Sequence, residues 1–169
     1  EKIFKKYKKN IKLIIHAAAQ PSHDWSYSNP KLDFNVNANG TLNLLELTKI
    51  YSKKAIFIFT STNKVYGDNP NKLKFNEKKL RYELNSNSKY YNGFKEDFKI
   101  DECIHSIFGA SKLSADVMVQ EYSKNLGIQG GIFRAGCITG KNHKGVKLHG
   151  FLSFLVKSVI ENKTYDKKN

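Results

Sequence analysis

Apolar residues recur along this chain in two alternating forms, short continuous runs and longer segments with helical spacing. Ile3, Phe4 and Tyr7 stand among lysines in residues 1–10, which predicts the last turns of an amphipathic helix. Residues 11–16 form a short apolar run that gives way to three alanines, the pattern of a parallel strand buried on both faces. After a polar loop through Pro30, the segment 34–51 carries Val36, Leu42, Leu44, Leu45, Leu47 and Ile50 around most of its circumference, so a helix with two packing partners is predicted. Residues 55–59 predict a second strand of β-branched and aromatic side chains, followed by a polar stretch ending at Gly67. The segment 68–103 has no period and predicts a long excursion. Helical spacing returns over 104–126 and Gly127 stops it; a third strand at 130–134, a glycine- and histidine-bearing loop over 135–150 and an apolar helix over 151–160 follow. The alternation predicts an α/β fold, a doubly wound parallel sheet of Rossmann-like type.

Length and charge narrow the function classes. A chain of 169 residues is one domain or a piece of one. Glu1 opens a lysine-rich stretch with no apolar signal core, and the polar tail from Glu161 has no terminating element, so residues 1–169 are expected to be the central part of a domain, incomplete at both ends. No apolar run approaches the ~20 residues that span a bilayer, so no membrane partner is expected. Cys103 and Cys137 make neither a metal spacing nor a disulfide framework, and a cytoplasmic setting is expected. The formal charge of +14 points towards nucleic acid, but the 29 basic residues comprise 27 Lys and only 2 Arg. Phosphate- and base-reading proteins favour the forked guanidinium. Abundant Lys, Asn and Ile together reflect A/T-rich codons, and the lysines are scattered rather than interleaved with aromatics, so no nucleic-acid partner is expected.

Three predicted strands end in small or polar residues: His16 to Ala19, Thr60 to Gly67, and Arg134 to Cys137. In doubly wound sheets ligands bind beyond the carboxyl ends of the strands, so Ala18, Thr62 and Gly136 are expected around one crevice. Lys112 follows Phe108 by four residues and shares its helical face. Two readings stand for several of these residues. Thr62 is a turn cap or a catalytic hydroxyl, His105 a proton carrier or a capping residue, and Lys112 a solvated charge or a site cation. Arg134 is expected as a structural ion-pair or hydrogen-bond centre. His143 and His149, with five residues between them and no acidic neighbours, make no metal site, and none is expected.

HAAA at 16–19, TSTNKVYG at 60–67 and FGASK at 108–112, in that order and spacing, resemble the central part of the extended short-chain dehydrogenase/reductase family, the nucleotide-sugar epimerases and dehydratases. Within it, STNKVYGD at 61–68 followed by a long insert, HAAAQPSHDW at 16–25 and NANGTLNLLE at 37–46 are similar to the CDP-sugar 2-epimerase branch. The resemblance implies NAD as cofactor, a nucleotide-sugar substrate, and a catalytic group of Ser or Thr, Tyr and Lys. In that group the ammonium lowers the phenol's pKa and holds the nicotinamide ribose. Thr62 and Lys112 stand at the first and last of these positions, and Phe108 replaces the family's Tyr. The cofactor would meet Ala17, Ala18, Ala19, Gln20, Pro21, Val36, Thr62, Lys112 and Gly136, and the sugar nucleotide Cys137, His143 and His149. Asn63 and Lys64 stand where dehydratases carry an Asp-Glu pair, which argues against dehydration. No glycine-rich phosphate loop of the family's kind stands between Glu1 and His16, and the resemblance implies that this loop and the sugar-binding carboxyl-terminal part are expected to be missing from residues 1–169. A homodimer through the helices 34–51 and 106–126 is also implied. The expected activity is NAD-dependent epimerisation of a CDP-sugar through a transient ketone, or, in its place, non-catalytic nucleotide or NAD binding.

Overall fold

The computed structural model describes residues 1–145 and 150–164. A short helix α1 (Lys2–Tyr7), which buries Phe4, leads through a 3₁₀ turn into β1 (Leu13–His16). Helix α2 (His23–Ser28) follows, its first turn capped by the Ser22 side chain, which accepts from Trp25 N. Helix α3 (Pro30–Phe34) runs on through one π-helical turn (Asn35–Asn39) into α4 (Gly40–Tyr51). Strand β2 (Ile56–Thr62), a hairpin of β3 (Phe75–Glu77) and β4 (Tyr82–Leu84), α5 (Ser106–Asn125), β5 (Gln129–Ala135) and α6 (Phe151–Ile160) complete the order.

The sheet is parallel, in the order β1-β2-β5, with Leu13 beside Ile56, His16 beside Phe59, and Thr62 beside Ala135. Side chains alternate along β2, so Phe57, Phe59 and Ser61 turn to one face and Ile56 to the other. The inner face packs on Leu45 of α4 and on Ala115, Val119 and Tyr122 of α5, with Ile128 closing the cluster. Full burial of each phenylalanine there stabilises the fold by about 1.5–3 kcal/mol.

This is the Rossmann-like arrangement expected, with three corrections. Among the described residues the run at 11–16 is covered on one face: Leu13 and Ile15 are 52% and 63% exposed, and Ile56 and Phe133 share that outer surface. Apolar composition reports a strand's capacity for burial, while α4 and α5 cover one face of this sheet. The helix expected from 34 starts at Pro30, whose missing N–H suits a first helical turn, and Val36 lies in the π turn between α3 and α4. The excursion at 68–103 contains the β3–β4 hairpin and is tied down: Asn69 Nδ2 donates to Lys99 O and Asp101 O, both at 3.1 Å, and Tyr66, Tyr90, Phe94 and Phe98 stack edge-on or tilted within 5.9 Å.

Helix α5 begins at Ser106, two residues later than the spacing suggested. Ser106 has φ +66°, in the left-handed region a non-glycine residue seldom adopts, and its Oγ accepts from Gly109 N at 3.1 Å. At the other end Gly127, with φ +72°, turns the chain out of the helix as expected.

Candidate active site

The carboxyl ends of the three parallel strands carry Ala17, Thr62 and Gly136 along one edge, since β1, β2 and β5 are adjacent and in register. Ala17 and Ala18 are exposed there, and among the described residues a Cβ on Gly136 would have only Asn63 Nδ2 within 4 Å, at 3.9 Å. The edge is therefore lined by backbone that a flat molecule can approach. Cys137 lies exposed just beyond.

Lys112 rises from α5 behind this edge. It is 4% exposed, its Nζ donates to Thr60 O at 2.8 Å and stands 4.2 Å from the centre of the Phe59 ring. No described carboxylate pairs with its ammonium within salt-bridge distance. Burial pushes its pKa down to about 8, against a weaker opposing pull from Asp116. The solvated-charge reading of Lys112 is thereby excluded. Its neighbour His16 is buried too, and burial followed by the Lys112 charge lowers its pKa to about 4. Thr41 Oγ1 gives its proton to Asn37 O at 2.6 Å, so it accepts from His16 Nε2 at 2.8 Å, which fixes that imidazole as the neutral Nε2–H form.

Thr62 ends β2 and does cap the next turn, its Oγ1 accepting from Lys64 N at 3.2 Å while lying 3.4 Å from Asn63 Oδ1. Phe108 is buried on α5 one turn before Lys112, and the ring of His23 meets it at 4.8 Å and 60°. His105 is a loop tie: Nε2 is 2.6 Å from Ile100 O and Nδ1 3.2 Å from Lys64 O, with Cys103 Sγ at 3.3 Å from Nε2. His143 bonds through Nδ1 to Ser153 Oγ of α6 at 2.8 Å. His149 lies outside the described residues.

One support behind the edge was not singled out from the sequence. Asn37, in the π turn, donates to Gln20 O at 3.1 Å and to Ser111 Oγ at 3.0 Å, and accepts from Gln20 N at 2.9 Å. Ser111 in turn donates to Asp33 Oδ2 at 2.5 Å, and Gln20 Nε2 to Asp33 Oδ1 at 2.5 Å. The loop after β1 is thus bolted to α5 through one buried amide, and the Gln20 side chain is engaged in that bolt. Nothing in the sequence sets Asn37 apart from Asn35, Asn39 and Asn43 of the same segment. Arg134 is the ion-pair centre expected of it: Nη2 and Nε reach both oxygens of Asp116 at 2.9 and 3.1 Å, and Nη1 donates to Tyr66 OH at 3.1 Å and Glu96 O at 2.8 Å. Burial alone would raise Asp116, but its bonds from Arg134, Ser61 and Gln120 outweigh that and hold it below the usual carboxylate range.

A family model for NAD-binding proteins, described as male sterility protein, matches residues 1–167. CDP-paratose 2-epimerase of Salmonella typhi is 34% identical over 88% of this chain and 42% of its own length. A putative UDP-glucose 4-epimerase of Methanocaldococcus jannaschii is 26% identical over 92% of this chain and 44% of its own. The chain therefore spans less than half the length of these relatives. Among solved structures, UDP-glucose 4-epimerase of Thermus thermophilus in complex with NAD superposes with a TM-score of 0.73 at 23% identity, over 97% of this chain and 45% of that one. A tyrosine-to-phenylalanine variant of UDP-glucuronic acid 4-epimerase from Bacillus cereus, holding NAD and a fluorinated UDP-sugar, superposes at 0.63 with 25% identity, over 95% and 43% of the two chains.

Proposed function

The chain belongs to the NAD-binding family described as male sterility protein, within the extended short-chain dehydrogenase/reductase group of epimerases and dehydratases, and from that premise we propose that it forms the central part of an NAD-dependent nucleotide-sugar epimerase. One observation carries the reading: a desolvated lysine, Lys112, stands behind a strand edge whose residues, Ala17, Ala18 and Gly136, leave the backbone open to a flat ring. The residues present fit NAD, which when bound supplies a hydride acceptor and donor. Lys112, fixed by Thr60 O, would hold the ribose hydroxyls, and Thr62 would orient the sugar hydroxyl. Ala17 and Ala18 would let the cofactor lie against the backbone, with Gln20 and Asn37 keeping that loop in place. Asn63 and Lys64 offer no carboxylate pair for removing water, which favours inversion over dehydration.

The substrate we favour is a CDP-sugar inverted at carbon 2, on the strength of the similarity to CDP-paratose 2-epimerase. We also infer a homodimer through α4 and α5, because Phe34, Leu42, Val117 and Met118 leave an apolar groove on their outer side. Phe108 favours a second reading, a non-catalytic NAD-binding protein, since its ring carries no ionisable atom. Incubating the whole protein with CDP- and UDP-sugars, following bound NADH fluorescence and identifying the sugar released, separates the two. Inverted sugar is expected with the CDP series. Bound NAD with no inversion supports the second reading, and absence of NAD binding overturns both. Sedimentation as a monomer at high concentration would remove the dimer.

A further inference from the structure

Oxidising a sugar carbinol requires a group to take the hydroxyl proton as hydride leaves the same carbon, and to return it later. Phe108 cannot do this, and most candidates near it are otherwise held. Thr62 Oγ1 caps the following turn. His16 is buried with its Nε2 proton on Thr41. Both ring nitrogens of His105 face carbonyl oxygens.

His23 differs. It opens α2, lies over the edge of the Phe108 ring, and is only half-buried. Its Nδ1 is 3.1 Å from Ser106 Oγ, and no described residue bonds its Nε2. Ser106 is itself unusual: it holds φ +66° at the mouth of α5 while its hydroxyl accepts from Gly109 N. That leaves the hydroxyl free to give its proton to Nδ1 or to accept one, so the imidazole can change tautomer and exchange a proton at Nε2 in either direction. The charges that act on the ring are Lys64 after β2, Asp24 on α2 and Asp33 on α3. Burial first, and the Lys64 ammonium second, lower the pKa of His23 against the two carboxylates, which leaves the ring neutral at pH 7 and ready to accept.

We propose that His23 is the proton carrier of the reaction, its Nε2 taking the hydroxyl proton of the sugar in the oxidation and giving it back in the reduction. The role rests on the epimerase reading above. In the forward step the O–H bond breaks with its proton going to Nε2, the C–H electron pair leaves as hydride to the nicotinamide, and the C=O bond forms; the return reverses each change at the other face of the ketone.

The test uses the whole protein with NAD. His23→Gln is expected to lower kcat by about 10²-fold or more with NAD affinity retained, and to remove the acid limb of the pH–rate profile below pH 6.5. The His23 imidazole, followed by ¹H–¹⁵N NMR, is expected to titrate at the midpoint of that limb in the wild-type protein. Should His23→Gln fail to fold, His23→Asn carries the test; where it folds, the double variant His23→Gln/Phe108→Tyr is expected to recover turnover through the new phenol. A His23→Gln protein with kcat within about threefold of wild type overturns the role alone. So does an acid limb near pH 8 that survives in His23→Gln and is lost in Lys112→Met, which assigns the proton to Lys112. A wild-type protein that binds NAD but inverts no sugar overturns the epimerase reading, and the role with it.

Discussion

Lys112 and Asp116 sit one turn apart on α5, both buried, and the protein treats them in opposite ways. Asp116 is wrapped: Arg134 grips both its oxygens, and Ser61 at 2.5 Å and Gln120 at 2.8 Å donate as well. Its charge is stabilised in place, and its job is to fasten α5 to the ends of β2 and β5. Lys112 has one backbone carbonyl and an aromatic face, and its ammonium is held at the margin of ionisation. A buried charge that is fully paired serves the fold, while one left under-compensated beside an open edge costs stability and is retained for what it does to a ligand.

The strongest test of that contrast is on the paired side. Asp116→Ala leaves the Arg134 guanidinium buried without its carboxylate, and a loss of about 3–5 kcal/mol is expected in urea unfolding; Arg134→Met should cost a comparable amount by stranding Asp116. On the other side, Lys112→Met should leave stability unchanged or raise it, yet reduce turnover of the whole protein by about 10²-fold or more. A Lys112→Met protein as unstable as Asp116→Ala would break the comparison.

The pH dependence sharpens it. Because Lys112 has a folded pKa of about 8 against 10.5 unfolded, the unfolded chain binds more protons between those values, so stability rises with pH across that window. Lys112→Met should flatten the rise. Tyr122, pushed up to about 12 by burial and by Glu46, works in the opposite sense and only above pH 10. His16, at about 4 against 6.5, contributes stability that is lost as pH falls from 6.5 towards 4. Urea midpoints at pH 5, 7, 9, 10.5 and 11.5 check all three signs. The smallest effect is expected of Phe108→Tyr, which nearly conserves volume and should not lower turnover. A Phe108→Tyr protein that loses NAD as well as activity would show that the position serves packing.

What could be read from the residues followed from local physics. The strands announced themselves because apolar runs ended in small residues, as at Ile15 and His16 before Ala17, and Gly127 marked the end of α5 because a positive φ favours glycine there. Lys112 was legible as the fourth residue after Phe108. Contacts distant in sequence were not. His23 reaches Ser106 across 83 residues and Asn37 reaches Ser111 across 74, and nothing in their neighbourhoods distinguishes them from loop or helix polar residues. The open outer face was hidden for the same reason, since Leu13 and Ile15 look the same whether or not a layer covers them. Tyr66 and Arg134 read as strand-end residues, and only the fold brings them together over Asp116.

The π turn at Asn35–Asn39 sets the phase of everything after it. Asp33, Asn37, Thr41 and Leu45 all face inward at intervals of four, and in an unbroken α-helix each such step overshoots a full turn by roughly 40°, so three steps would swing Leu45 roughly 120° away from Asp33. The wider turn takes up the surplus residue and lets the Ser111 bolt, the His16 contact and the hydrophobic core be served by one stripe. The helix is thus gauged to its length: removing a single residue between 35 and 39 would rotate α4 and misalign either the bolt or the core, whereas the 68–103 segment has no such gearing downstream of it.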